Sequence, residues 1–80
     1  MSDENVVRTP IPGVFYRRPS PGSPPFVSEG DVVEDGGVVG LVEVMKQFHD
    51  LVAEEAGTVG SFQVENEGMV DAGQPIVTID

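Results

Sequence analysis

Two stretches of this chain repeat one another, and the repeat limits the fold to a pair of similar halves. Glu29-Gly30-Asp31-Val32-Val33-Glu34-Asp35-Gly36 stands beside Glu67-Gly68-Met69-Val70-Asp71-Ala72-Gly73, and each runs into an apolar segment that ends in an acid, Val38 to Glu43 and Ile76 to Asp80. Pro12-Gly13-Val14-Phe15 likewise matches Ala56-Gly57-Thr58-Val59. The offset is 44 from Gly13 to Gly57 but 38 from Gly30 to Gly68, so six extra residues fall inside the first half. The interval contains Pro19 to Pro25, which holds four of the seven prolines. Proline cannot donate a ladder hydrogen bond in a central strand, so this segment is expected to be a loop inserted into one of the two halves.

With 80 residues and no cysteine, the chain has room for one small domain. Such a domain buries about 60% of its unfolded surface and has no disulfide to compensate. The apolar runs Val14-Phe15-Tyr16, Val38 to Val42 and Ile76 to Ile79 are β-branched or aromatic and bounded by Gly and Pro, which predicts strands and turns in an all-β domain. Residues 1–5 are polar and terminal and are expected to be disordered, leaving 6–80 as the folded unit.

Fourteen acidic against four basic residues give a net charge of −10, which opposes nonspecific binding to nucleic acid or to anionic membranes. No stretch of 18 apolar residues and no basic-then-apolar leader is present, so a soluble cytoplasmic protein is expected. The ten glycines form no phosphate-binding motif and read as turns. Glu34 and Asp35 read as a solvated face. His49 has no nucleophile or ligand cluster around it and reads as a surface or strand residue, so neither a catalytic residue nor a metal site is expected. Lys46 is the only lysine. Any chemistry that joins a group to a lysine amine therefore has one side-chain address, and it lies between the two halves.

Local periodicity around Lys46 points elsewhere. Leu41, Val44, Met45, Phe48, Leu51 and Val52 follow helical spacing, which taken alone predicts a helix over 41–56 capped by Gly57. In that form the chain would be an unmodified acidic interaction module that docks a basic partner through the helix.

The segment Glu43-Val44-Met45-Lys46, followed by Ala53 and Ala56-Gly57-Thr58-Val59, resembles the attachment motif of biotin carboxyl carrier proteins. The likeness extends from Arg8-Thr9-Pro10 through Gly13-Val14-Phe15-Tyr16-Arg17 and Pro19-Ser20-Pro21 to the C-terminal strand, and Gly36 stands ten residues before Lys46. It covers nearly all of 6–80. The resemblance implies a flattened β-barrel, or sandwich, of two four-stranded antiparallel sheets with quasi-twofold symmetry, a barrel-sandwich hybrid with the lysine at the tip of a hairpin. It thus overrules the helix.

The resemblance also implies biotin bound covalently to Lys46, with Glu43, Val44, Met45 and Gln47 as the attachment motif. Val44 stands where Ala is usual in the family and Gln47 where a second Met is usual. Pro19, Ser20, Pro21, Gly22, Ser23, Pro24 and Pro25 correspond to a thumb-like loop that carriers of the acetyl-CoA carboxylase type possess. The implied partners are a biotin protein ligase that loads Lys46, a biotin carboxylase and a carboxyltransferase. The chain itself would be a non-catalytic carrier in fatty acid biosynthesis. A lipoyl-type carrier is the alternative, although lipoyl domains typically place Asp where Met45 stands. Met45 itself would either contact the cofactor or ligase or fill space beside the turn.

Overall fold

The computed structural model describes residues 5–80. It contains eight strands, β1 (Asn5–Arg8), β2 (Gly13–Tyr16), β3 (Val32–Val33), β4 (Val38–Val44), β5 (Gln47–Val52), β6 (Gly57–Phe62), β7 (Met69–Val70) and β8 (Pro75–Ile79). They form two four-stranded antiparallel sheets in the orders β1-β8-β6-β3 and β5-β4-β2-β7. The fold class expected from the sequence is therefore correct, including its two related sheets. Met1 to Glu4 lie outside the described residues. Asn5, grouped with them in the sequence reading, instead opens β1: it pairs with Ile79, and its side-chain amide donates to Glu55 Oε1 at 2.9 Å.

The quasi-twofold can be followed bond by bond. Advancing each strand number by four carries the first sheet order onto the second. Gly30 N–H donates to Val59 O, and Glu67 N–H donates to Phe15 O; Gly36 N–H donates to Ala53 O, and Gly73 N–H donates to Thr9 O. Positive φ recurs in the same register, at Gly30 and Glu67 and at Gly36 and Gly73. The second correspondence thus has an offset of 37, not the 38 obtained by matching Gly30 to Gly68, and the first half carries seven extra residues rather than six. Glycine identity misled the alignment because backbone geometry, which the repeat conserves, puts a glutamate in the left-handed position.

The core lies between the sheets. Phe15, Val39, Val42, Ile76 and Val77 are fully enclosed, and the Phe15 and Phe62 rings sit 6.2 Å apart. Each such aliphatic or aromatic side chain contributes about 1.5–3 kcal/mol by leaving water.

The helix expected from periodicity over 41–56 is absent; the segment is the β4–β5 hairpin. β4 is paired on both sides, with β2 and β5, and is largely buried along its length, which erases the polar alternation that marks a half-exposed strand. A two-residue turn then shifts the phase between two period-two strands, and the resulting apolar spacing imitates period 3.6. In three dimensions those residues part company: Leu41 and Leu51 are buried while Met45 and Phe48 face solvent. No helix among the described residues is long and apolar enough to cross a membrane.

Candidate functional site

β4 and β5 pair without a break from Leu41↔Asp50 to Val44↔Gln47, which leaves Met45 and Lys46 as the whole connection. Both have positive φ, 52° and 69°. A two-residue hairpin turn with positive φ at both positions is type I′, whose twist matches that of the flanking strands. Asn-Gly is the favoured sequence there, so side-chain-bearing Met and Lys hold the turn at a cost in local strain. Met45 is 90% exposed and Lys46 is exposed, both projecting beyond the sheet. That exposure rules out space-filling as the role of Met45.

The stem beneath the turn is braced from β2. Tyr16 Oη donates to Glu43 Oε1 at 3.0 Å, and the Tyr16 ring lies 5.9 Å from that of Phe48, which pairs with Glu43 across the hairpin. The hydrogen bond to the Glu43 carboxylate raises the Tyr16 pKa above its usual 10.0, aided by desolvation and by the charges of Glu43 and Glu67. Gly13 lets β2 run close under the end of β4, because a Cβ there would collide with the Glu43 carbonyl oxygen and the Val42 side chain. Val44, where the resemblance expects Ala, packs its side chain against the core. Gln47 is exposed at the first position of β5.

Residues 19–25 form no strand and belong to the connection between β2 and β3. Ser23 N–H donates to Ser20 O at 3.1 Å, the two hydroxyls lie 2.7 Å apart, and Gly22 takes φ 86° at the tip. The root of this connection is pinned at Arg17. Its N–H donates to Asn66 Oδ1 at 2.8 Å, its carbonyl accepts from Phe26, and its guanidinium lies 4.1 Å above the Phe62 ring. Between the loop and the hairpin is a cavity of about 210 Å³ lined by Tyr16, Arg18, Pro19, Phe48 and Glu67, among others.

The structure therefore brings the proline-rich loop beside the stem of the hairpin that carries Lys46, where Pro19 and Phe48 line one cavity although they lie far apart in sequence. Sequence reasoning missed Tyr16 and Phe48 as the braces of the stem; their only signal was aromatic character on either side of the motif. His49 lies on β5 and is exposed, as expected, and no cluster of His, Cys, Asp or Glu suited to a metal occurs among the described residues.

Two related four-stranded sheets thus hold the chain's solitary lysine exposed at a hairpin tip. Residues 5–79 match the family described as "Biotin-requiring enzyme", and the chain belongs to that family. Among curated relatives, the biotin carboxyl carrier protein of acetyl-CoA carboxylase from Pseudomonas aeruginosa is 45% identical over 94% of this chain and 48% of its own length. The chloroplastic biotin carboxyl carrier protein of acetyl-CoA carboxylase 2 from Arabidopsis thaliana is 38% identical over 91% of this chain and 29% of its own. The crystal structure of Kluyveromyces lactis urea carboxylase superposes with a TM-score of 0.83 at 28% identity, covering all of this chain and 6% of that one. The chain thus spans about half or less of the proteins it resembles.

Proposed function

We propose that this domain is a biotin carboxyl carrier of an acetyl-CoA carboxylase, with biotin attached through an amide to the Lys46 amine. One observation carries the reading: the only lysine in the chain stands exposed in a two-residue turn that its own sequence does not favour. The names of the relatives, and biotin as the cofactor of the family, support it. The geometry suits the group, since the exposed amine has open space beyond the turn and a braced stem behind it.

Biotin, when bound, supplies a ring that takes up and releases a carboxyl group, chemistry that no protein side chain provides. The protein's contribution is placement. The β4–β5 hairpin holds the arm's root fixed, and tethering keeps the group at an effective concentration that can reach about millimolar at each enzyme it visits. Glu43, Val44, Met45 and Gln47 form the attachment motif around Lys46, and residues 19–25 act as a thumb-like loop. The partners are a biotin protein ligase, a biotin carboxylase and a carboxyltransferase; the chain is a non-catalytic, cytoplasmic carrier whose folded unit begins at Asn5. Attachment removes the one lysine charge and takes the formal net charge from −10 to −11.

Intact-mass measurement after co-expression with a biotin ligase tests the reading. One biotin adduct is expected, absent from Lys46→Ala; an unmodified wild-type protein refutes the proposal, and a lipoyl mass at the same lysine replaces it with the lipoyl-carrier alternative.

A further inference from the structure

The Met45 side chain takes no part in holding this fold together. It is 90% exposed and lies outside the buried core cluster. At φ 52° the residue occupies the left-handed region, which asparagine and glycine accept more readily. Yet Met45 and Lys46 are the whole connection between β4 and β5, so this thioether stands next to the only lysine. In a chain without cysteine, an exposed thioether is the first group that a peroxide oxidises. Met69 is also exposed, at 78%, but it lies on β7, which the sheet order β5-β4-β2-β7 puts at the edge opposite β5 of the hairpin. It serves as an internal comparison.

We infer that Met45 is a redox-sensitive modification site that governs the loading of Lys46: the thioether admits the ligase, and the sulfoxide hinders it. The inference rests on the biotin reading above. In the modifying step the O–O bond of hydrogen peroxide breaks and one oxygen atom bonds to the Met45 sulfur. Sulfur is oxidised by two electrons, and the peroxide leaves as water. A sulfoxide reductase that draws two electrons from thiols reverses the step and releases the oxygen as water. Geometry confines the consequence to loading. Before modification the lysine amine reaches only roughly 6 Å from its Cα, and the Met45 Cα is about 3.8 Å from that of Lys46. An enzyme that closes on the bare amine therefore covers Met45 too, whereas enzymes that act on the loaded arm meet it farther out. Burying a flexible apolar thioether gives up no strong hydrogen bond, while a buried sulfoxide oxygen needs a donor that an apolar contact lacks. The fold itself is indifferent, because a side chain that is 90% exposed exchanges one solvated group for another. Chains that already carry biotin keep it, since the oxidation does not touch the amide.

The test is competition within one sample. The whole, unloaded chain is treated with hydrogen peroxide until Met45 is partly oxidised, the peroxide is removed, purified ligase is added with biotin and ATP, and the reaction is stopped early. Peptide mapping by mass spectrometry then gives the ratio of sulfoxide to thioether at each methionine in the biotinylated and the unmodified fractions. The Met45 ratio is expected to be about tenfold lower in the biotinylated fraction, with the Met1 and Met69 ratios equal in both. Treatment with a methionine sulfoxide reductase and dithiothreitol before the ligase is added should restore loading to that of the untreated chain. Thermal unfolding of the oxidised chain should stay within about 4 °C of the untreated one. An equal Met45 ratio in the two fractions, or a depletion of Met69 sulfoxide as large as that of Met45, overturns the redox site while leaving biotinylation of Lys46 intact. A larger fall in Tm also overturns it, for the sulfoxide would then act through the fold. An unoxidised chain that takes no biotin overturns the biotin reading, and this inference with it.

Discussion

Replacing Lys46 by glycine should make this domain more stable while removing its only lysine. At φ 69° a residue with a Cβ sits in a region that costs an L-amino acid about 1–2 kcal/mol. Glycine relieves that strain but loosens the unfolded chain, giving back about 0.4–1 kcal/mol. The net gain is about 0.5–1 kcal/mol. Met45, at φ 52° and 90% exposed, buries almost nothing that its loss would forfeit, and Asn tolerates the left-handed region, so Met45→Asn adds about 0.5 kcal/mol. The double variant M45N/K46G completes the Asn-Gly turn and should gain about 1–1.5 kcal/mol. For a domain of this size that is a rise in Tm of roughly 5–10 °C, or about 1 M in urea midpoint. Differential scanning calorimetry and urea titration followed by circular dichroism read both. Lys46→Ala is the control: it removes the same charge and keeps the Cβ, so it should stay within about 0.5 kcal/mol of wild type. If Lys46→Gly is no more stable than Lys46→Ala, the turn stores no strain and the reasoning fails. The expected result would mean that stability is given up at the turn that carries the only lysine.

Two further outcomes test the frame around that turn. A Cβ added to Gly40 would meet Phe15 Cε1 at 2.5 Å and the Tyr16 carbonyl oxygen at 3.0 Å. Since Phe15 is fully enclosed, Gly40→Ala should cost about 1–3 kcal/mol and lower Tm by at least about 4 °C; an unchanged Tm would show that the ring can retreat. Tyr16 is the only tyrosine, so ultraviolet titration of tyrosinate reads it alone. Its midpoint should lie above 10.0 in the folded protein, chiefly because of the hydrogen bond to Glu43, and should fall back toward 10.0 in Glu43→Gln. Because folding raises this pKa, the stabilisation is fully present below pH 10.0 and is lost as pH rises through the folded value. Tyr16→Phe should therefore unfold less steeply than wild type in alkali, measured by circular dichroism.

Much of the architecture was legible because it is written in local chemistry. The strands at Val14 to Tyr16, Val38 to Val42 and Ile76 to Ile79 announce themselves by β-branched and aromatic runs bounded by Gly and Pro. The two-half organisation was legible from the repeat, and the proline-rich loop from its missing backbone donors. The register of the repeat was not, because Glu67 occupies a position that glycine fills in the other half. Nor was the hairpin legible from its own residues: Met-Lys carries no turn signal, and β4 is buried too continuously to alternate. Only the resemblance to a known family placed a turn there, and the structure supplies the cause, which is pairing of β4 with β2 on one side and β5 on the other.

By itself, the sequence determined that there is one lysine, that the chain is acidic, that it folds without disulfides as two similar halves, and that its inserted loop lies in the first of them. These are counts and local preferences, and they need no knowledge of what touches what. Tertiary structure alone decided that Tyr16 reaches Glu43, that Phe48 lies against the Tyr16 ring at the loop cavity, and that Lys46 crowns a strained turn. Such contacts join residues that are distant along the chain, and a left-handed turn of Met and Lys is stable only when two paired strands enforce it from below.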